Sequence, residues 1–169
     1  MILVEKGRGQ ELKSPQRHFE EMKNARPERS EDTETFIMIK KIIEFFEKHK
    51  RIAFILMLAT LTTMWYFSSL PGDSINIPRF SWTPIVSHFT IFSSFAFLFL
   101  AVITKKESKI RDVLITILVS LIVAISDEFH QYFVPFRSAT IDDVLVDMAG
   151  VISITIICLL IKNYTVILK

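Results

Sequence analysis

Apolar positions along the chain gather into four blocks, each close to the ~20 residues that an α-helix needs to cross the hydrocarbon core of a bilayer. They run from about Ile52 to Leu70, Ile85 to Ile103, Ile110 to Ser126, and from just after Thr140 to near Ile161. Ser68-Ser69-Leu70-Pro71-Gly72, then Pro78 and Pro84, break the chain after the first block. A lysine-rich link follows the second, and a polar extension to Tyr132 follows the third. Before the first block, Phe36, Ile39, Ile43 and Phe46 recur at helical spacing with Ile42 beside them, while Lys40, Lys41, Glu44, Glu47 and Lys48 take the other faces. That pattern predicts an amphipathic interfacial helix over 36–51. Residues 1–35 are polar, mixed in charge and without sustained apolar period, so a largely disordered cytosolic tail with no cleavable signal peptide is expected there. The expected architecture is all-α: a membrane domain over 52–161 built as a bundle of four transmembrane helices, the amphipathic helix before it, and a short cytosolic tail over 162–169.

Composition supports a bilayer as the solvent. Half of the 169 residues are hydrophobic, fifteen phenylalanines outnumber four glycines, and the mean hydropathy is +0.39. A soluble domain of this length has too little interior to hide that much apolar surface. The net charge of +2 says less than its distribution. Twelve Lys and Arg residues fall in the first 51 positions, four between Lys105 and Arg111, and two after Ile161, against Arg79 and Arg137 alone in the other two links. Lys/Arg-rich segments stay cytoplasmic. Both termini are therefore expected inside a multi-pass protein of the cell membrane, with the 127–140 link outside. The N-terminal basic residues alternate with glutamates, unlike a nucleic-acid-binding arm, and no nucleic-acid partner is expected. A single cysteine, Cys158, has no partner for an internal disulfide.

The chemistry concentrates between Ser126 and Gly150. Asp127, Glu128, His130, Arg137, Asp142, Asp143 and Asp147 sit there between two long apolar runs, where charge is costly: about 2.5–3.5 kcal/mol at mid-bilayer on the most lenient insertion scale. With four crossings, His88, Ser68 and Ser69 arrive at the same face. Asp127, His130 and Gln131 are spaced i, i+3, i+4 and share one helical face; Glu128 falls off it, where capping or solvent exposure suffices. Asp143, Asp147 and Gly150 share another, with Gly150 allowing close helix approach. Thr140-Ile-Asp-Asp143 also fits a capping box, so a structural role for Asp142 and Asp143 stands beside a binding one. Arg137 has the planar fork that suits a carboxylate or phosphate, and an internal counter-ion to the aspartates is an equal reading. Two roles are open to the cluster. In one, His88, Gln131, Arg137, Asp143 and Asp147 bind a ligand at the outer surface. In the other, the chain is an intramembrane hydrolase or transferase acting on a lipid-linked phosphate, with His130 as general base, Asp127 orienting it and Glu128 beside them. A metal set of His88, His130 and Asp147 is too dispersed to make a motif, and neither a metal nor a cofactor is expected.

The string D-E-F-H-Q-Y-F-V-P-F-R-S-A-T-I-D-D-V-L-V-D-M-A-G resembles the VanZ-like family of small multi-span membrane proteins. Its pattern has an acidic D-E-x-x-Q segment, an F-V-P-x-R link and D-V-L-x-(N/D)-x-x-G, carried here by Asp127, Glu128, Gln131, Phe133, Val134, Pro135, Arg137, Asp143, Val144, Leu145, Asp147 and Gly150. His130 stands where the family often has histidine, and Phe67-Ser68-Ser69 and His88-Phe89 look like further landmarks. The likeness covers 52–161. Three positions depart from it: Phe136 where glycine is frequent, Val86 and Ser87 where a lysine is common, and Phe92 where a tyrosine is common. The resemblance implies a link to low-level resistance to teicoplanin, a lipoglycopeptide acting on cell-wall precursors outside the membrane. The bilayer, and with it a lipid-linked precursor or a glycopeptide, are thus the expected partners. The sequence carries no signal for the oligomeric state.

Overall fold

In the computed structural model, residues 31–73, 83–105 and 110–167 are described, and all of their regular structure is helical. The helices are α1 (Glu31–Lys48), α2 (Lys50–Ser68), α3 (Thr83–Ile103), α4 (Ile110–Gln131) and α5 (Ile141–Ile167). The chain divides into two compact units, Met1–Thr35 and Phe36–Lys169. Of the first, the described part is the opening turn of α1, so residues 31–35 are helical where a tail was expected; the rest of that expected tail lies outside the described residues. The second unit contains the helical bundle.

The expected boundaries hold to within about two residues for α2, α3 and α4. The amphipathic segment ends at Lys48, because His49 leaves helical geometry (φ −103°, ψ 57°) and a new helix begins at Lys50. His49 Nδ1 donates to the Phe45 carbonyl at 2.8 Å, alongside the His49 backbone N–H that the same carbonyl accepts at 2.9 Å. α5 runs on past Ile161 to Ile167, through most of the expected C-terminal tail.

Helix α3 is the centre of the unit and packs against α2, α4 and α5. Three apolar layers succeed one another along the bundle. Met64, Phe92, Ala96, Ala124 and Val151 form one. Ala53, Met57, Phe95, Leu98 and Ala101 form the next. Ile43, Leu100, Cys158 and Ile161 form the last, where α1 docks and the Phe46 ring meets Phe97 edge-on at 5.5 Å. Outside these layers the helices present large apolar side chains outward, among them Ile55, Leu118 and Leu160, each more than half exposed. An outer surface this apolar suits lipid rather than water. Helices α2, α3 and the Ile141–Lys162 part of α5 are long and apolar enough to cross a membrane.

Close contacts in the bundle depend on small residues. A Cβ at Gly150 would stand 2.5 Å from the Phe89 carbonyl oxygen and 2.8 Å from Ser93 Oγ, so glycine is what lets α5 lie against the backbone of α3. At the same end, Gly72 N donates to the Pro135 carbonyl at 3.1 Å, and a Cβ there would collide with the backbone of Phe136. Two links distant in sequence are thereby held together. At the opposite end, Lys50 Nζ donates to the carbonyls of Val102 (2.8 Å) and Thr104, covering the negative end of α3. Lys162 pairs there with Glu47.

Replacing Gly150 by valine is expected to prise α5 from α3, since the nearest obstruction is backbone and cannot rotate away. The cost is about 1–3 kcal/mol, visible as a lower unfolding midpoint of the protein in detergent; an unchanged midpoint would show that the close approach at Gly150 is dispensable.

Candidate functional site

The inward stripe of α4 runs through Thr116, Ser120, Ala124, Asp127 and Gln131, all buried. These positions recur every three or four residues, as one helical face requires. The first part of the stripe is small and weakly polar, and Thr116 Oγ1 donates to the Asp112 carbonyl at 2.9 Å. The stripe ends in a carboxylate and an amide. α4 therefore drives Asp127 and Gln131 into the bundle by the same rotation that points Leu114, Leu118, Ile122 and Ile125 outward, all of them exposed.

Four helices meet around these two residues. Gln131 Nε2 donates to Asp127 Oδ2 at 2.9 Å and stands 3.4 Å from both Glu128 Oε1 and Ser68 Oγ at the end of α2. Glu128 Oε2 accepts the Thr140 backbone N–H at 3.0 Å, tying α4 to the start of α5. From α3, His88 Nδ1 donates to Asp147 Oδ1 of α5 at 3.0 Å. Asp127 and Asp147 are fully buried at 0% exposure, and Glu128 and Gln131 nearly so. Asp127 Oδ1 and Asp147 Oδ2 nevertheless have no hydrogen-bond partner among the described residues. One donor atom each from His88, Asp127 and Glu128 lies within 4.8 Å of the others. The cluster thus holds three carboxylates, one imidazole and one amide. The Arg137 guanidinium is turned elsewhere.

The remaining expected residues have other work. His130 lies on the flank of α4. Its Nε2–H donates to Ser69 Oγ at 2.9 Å, whose hydroxyl donates to the Trp65 carbonyl at 2.7 Å, and the ring stacks on Trp65 at 5.0 Å. The Asp127–His130 pair of the hydrolase reading is not formed: the side chain that reaches Asp127 is Gln131. Glu128, expected off the Asp127 face, is buried beside it. Arg137 donates through Nε to the Leu70 carbonyl at 3.1 Å and through Nη2 to the Phe67 carbonyl. It therefore covers acceptors at the C-terminal end of α2, where a cation also suits the helix dipole. Only half of the expected capping box forms: Thr140 Oγ1 accepts the Asp143 N–H at 3.3 Å and donates to Asp143 Oδ2 at 2.7 Å, while the Thr140 backbone N–H goes to Glu128 instead of Asp143. Asp142 is exposed. His130 is not brought into a metal-like group with His88 and Asp147; among the described residues the donors that meet are those of His88, Asp127 and Glu128.

Phe136 has φ 59°, in the left-handed region that costs an ordinary L-residue roughly 1–2 kcal/mol. Its side chain is exposed, while its carbonyl is the atom that Gly72 accommodates. The turn needs the conformation that glycine adopts freely, and this chain supplies it with phenylalanine.

Membrane-length apolar helices around a buried carboxylate cluster at one end define a small all-helical membrane protein. The chain belongs to the VanZ/LLP1 family, whose model matches residues 12–162. No curated protein and no solved structure matches the chain.

Because Arg137 bonds carbonyls rather than the acids, Arg137→Ala is expected to act first on stability. It removes charge-assisted hydrogen bonds worth about 1.5–3 kcal/mol, so the unfolding midpoint in detergent should fall. A variant that unfolds like the wild type would place Arg137 outside the framework.

Proposed function

We propose that this is a four-span protein of the cell membrane, with both termini cytoplasmic, that lowers susceptibility to teicoplanin-type glycopeptides by binding a cell-envelope ligand at its outward-facing polar end. The observation that carries the reading is the pair of interior carboxylate oxygens with no partner among the described residues, Asp127 Oδ1 and Asp147 Oδ2. A buried polar atom without a partner costs about 1–3 kcal/mol, more when charged, and folding alone gives no return for two of them. The family resemblance supports the link to glycopeptides, and the Lys/Arg asymmetry supports the orientation.

Helix α4 supplies the fourth crossing. It is 22 residues long, about 33 Å at 1.5 Å per residue. Its outer face is apolar throughout its middle, and its acids are turned inward. The cluster lies where α2, α3, α4 and α5 meet. Exposed Tyr66, Phe129, Tyr132, Phe133 and Phe136 surround that end, the composition of a headgroup-level belt and a suitable contact surface for an amphipathic envelope ligand. Binding is preferred to the hydrolase reading built on His130, because that imidazole is engaged by Ser69 and not by a carboxylate.

Expression in a teicoplanin-susceptible Gram-positive host tests the reading. The wild-type chain should raise the inhibitory concentration, and Asp127→Asn or Asp147→Asn should return it to the vector's level at equal membrane abundance. In a Cys158→Ala background, Phe136→Cys should react with an impermeant maleimide added to intact cells. Wild-type susceptibility equal to the vector's, or labelling only after lysis, overturns the proposal.

A further inference from the structure

We propose that His88, Asp127 and Glu128 form a binding site for a first-row divalent cation such as Zn²⁺ or Mn²⁺. The inference deepens the functional reading above, naming what the same cluster holds, and rests on that cluster being a site rather than packing. Three observations carry it. First, one donor atom from each of the three residues lies within 4.8 Å of the other two. Donors sharing an ion at about 2.0–2.2 Å stand roughly 3–4 Å apart, so small side-chain rotations close the set. Second, Asp127 is fully buried, Oδ1 has no partner and Oδ2 is held by Gln131. That leaves one carboxylate oxygen oriented and uncommitted. Third, no Lys or Arg side chain among the described residues forms an ion pair with Asp127, Glu128 or Asp147. Keeping three carboxylates ionised in the interior beside one imidazole is costly, and a dication would offset that cost.

The groups around the three donors are arranged as outer partners of a metal site. With His88 Nδ1–H donating to Asp147 at 3.0 Å, the imidazole lone pair is on Nε2, the arrangement in which a carboxylate orients a metal-binding histidine and raises its basicity. Gln131 plays the corresponding part for the two acids, with its amide 2.9 Å from Asp127 and 3.4 Å from Glu128. One imidazole and two carboxylates suit Zn²⁺ or Mn²⁺ better than Ca²⁺, which takes six to eight oxygens. Three protein ligands leave a position open for water or an oxygen of a bound ligand. A phosphate or carboxylate at the membrane surface is the ligand class such a position accepts.

Metal content decides the matter. The full-length protein, purified in detergent and dialysed against metal-free buffer, is assayed by mass spectrometry of its elements. The stripped protein is then titrated with Zn²⁺ and with Mn²⁺ while its unfolding midpoint is followed. About one equivalent per chain is expected, with a rise in midpoint on adding one of the ions. The Asp127→Asn/Glu128→Gln variant should lose both, and Thr62→Val, on the exposed side of α2, should keep both. Asp147→Asn, a positioning residue acting through His88, should weaken metal affinity about 10–100-fold. If the double variant does not fold, the wild-type titration and Asp147→Asn decide. Wild-type protein that carries no metal and responds to neither ion overturns the site, as does metal that survives loss of both acids. A chain that raises glycopeptide resistance yet binds neither ion sinks the metal site and leaves the functional reading standing; one that binds metal without changing susceptibility does the reverse.

Discussion

The amide of Gln131 sits between two acids that α4 carries into the bundle, and the surrounding packing is arranged to let it. Asp127 and Glu128 are adjacent in sequence, so a helix turns them about 100° apart, and both can be buried only where two neighbouring helices close over them. On one side α2 ends at Ser68, whose hydroxyl lies 3.4 Å from the same amide. On the other, α5 begins just after Thr140, whose N–H is taken by Glu128. The ends of α2 and α5 thus both meet polar groups of the last turn of α4.

Close backbone approach makes the closure possible. Gly150 brings α5 against α3 within a turn of Asp147, so that His88 on α3 can reach the carboxylate. Gly72 brings the link after α2 against Pro135 and Phe136 in the link before α5, and Arg137 reaches back from that second link to the carbonyls of Phe67 and Leu70. The contacts are small, yet each joins segments about 60 or more residues apart. In lipid, where burying apolar surface gives little preference for one helix neighbour over another, packing of small residues and polar contacts of this kind decide which helices pair.

Much of this is legible in the chain. Apolar block lengths, proline and glycine breaks and the Thr140 cap place three of the helices to within about two residues and the start of a fourth, and the requirement that they alternate in direction brings His88, Asp127 and Asp147 to one end. Helix rotation is harder. The spacing of Asp127, His130 and Gln131 allows one shared face, and the structure draws the boundary through it: Asp127 and Gln131 go in, His130 stays on the flank. The cue is present in Thr116, Ser120 and Ala124, small residues in register with Asp127. Within a membrane the small, weakly polar stripe turns inward and the large aliphatic one, Leu114, Leu118, Ile122 and Ile125, turns out. Sending Leu and Ile inward, as in a soluble helix, selects the wrong face. Arg137 misleads for a different reason: its apparent counter-charges are close in sequence, but the carbonyl its Nη2 bonds lies 70 residues away, and no local pattern announces it.

The position of the acids on their own helix is also informative. Asp142 and Asp143 stand in the first turn of α5, where the dipole favours negative charge, and Lys50 covers the last turn of α3, where it favours positive charge. Asp127 and Glu128 do the opposite, placing two carboxylates near the C-terminal end of α4, the negative end. They are therefore opposed by the helix that carries them as well as by burial, and the amide that holds them contributes dipoles rather than charge. In α3 and α5 local preference and tertiary structure agree; here they conflict. Natural chains tolerate such conflicts where they perform a function. A cation seated between Asp127, Glu128 and His88 would resolve both penalties together, since the same positive charge offsets the dipole of α4 and the desolvation of its acids.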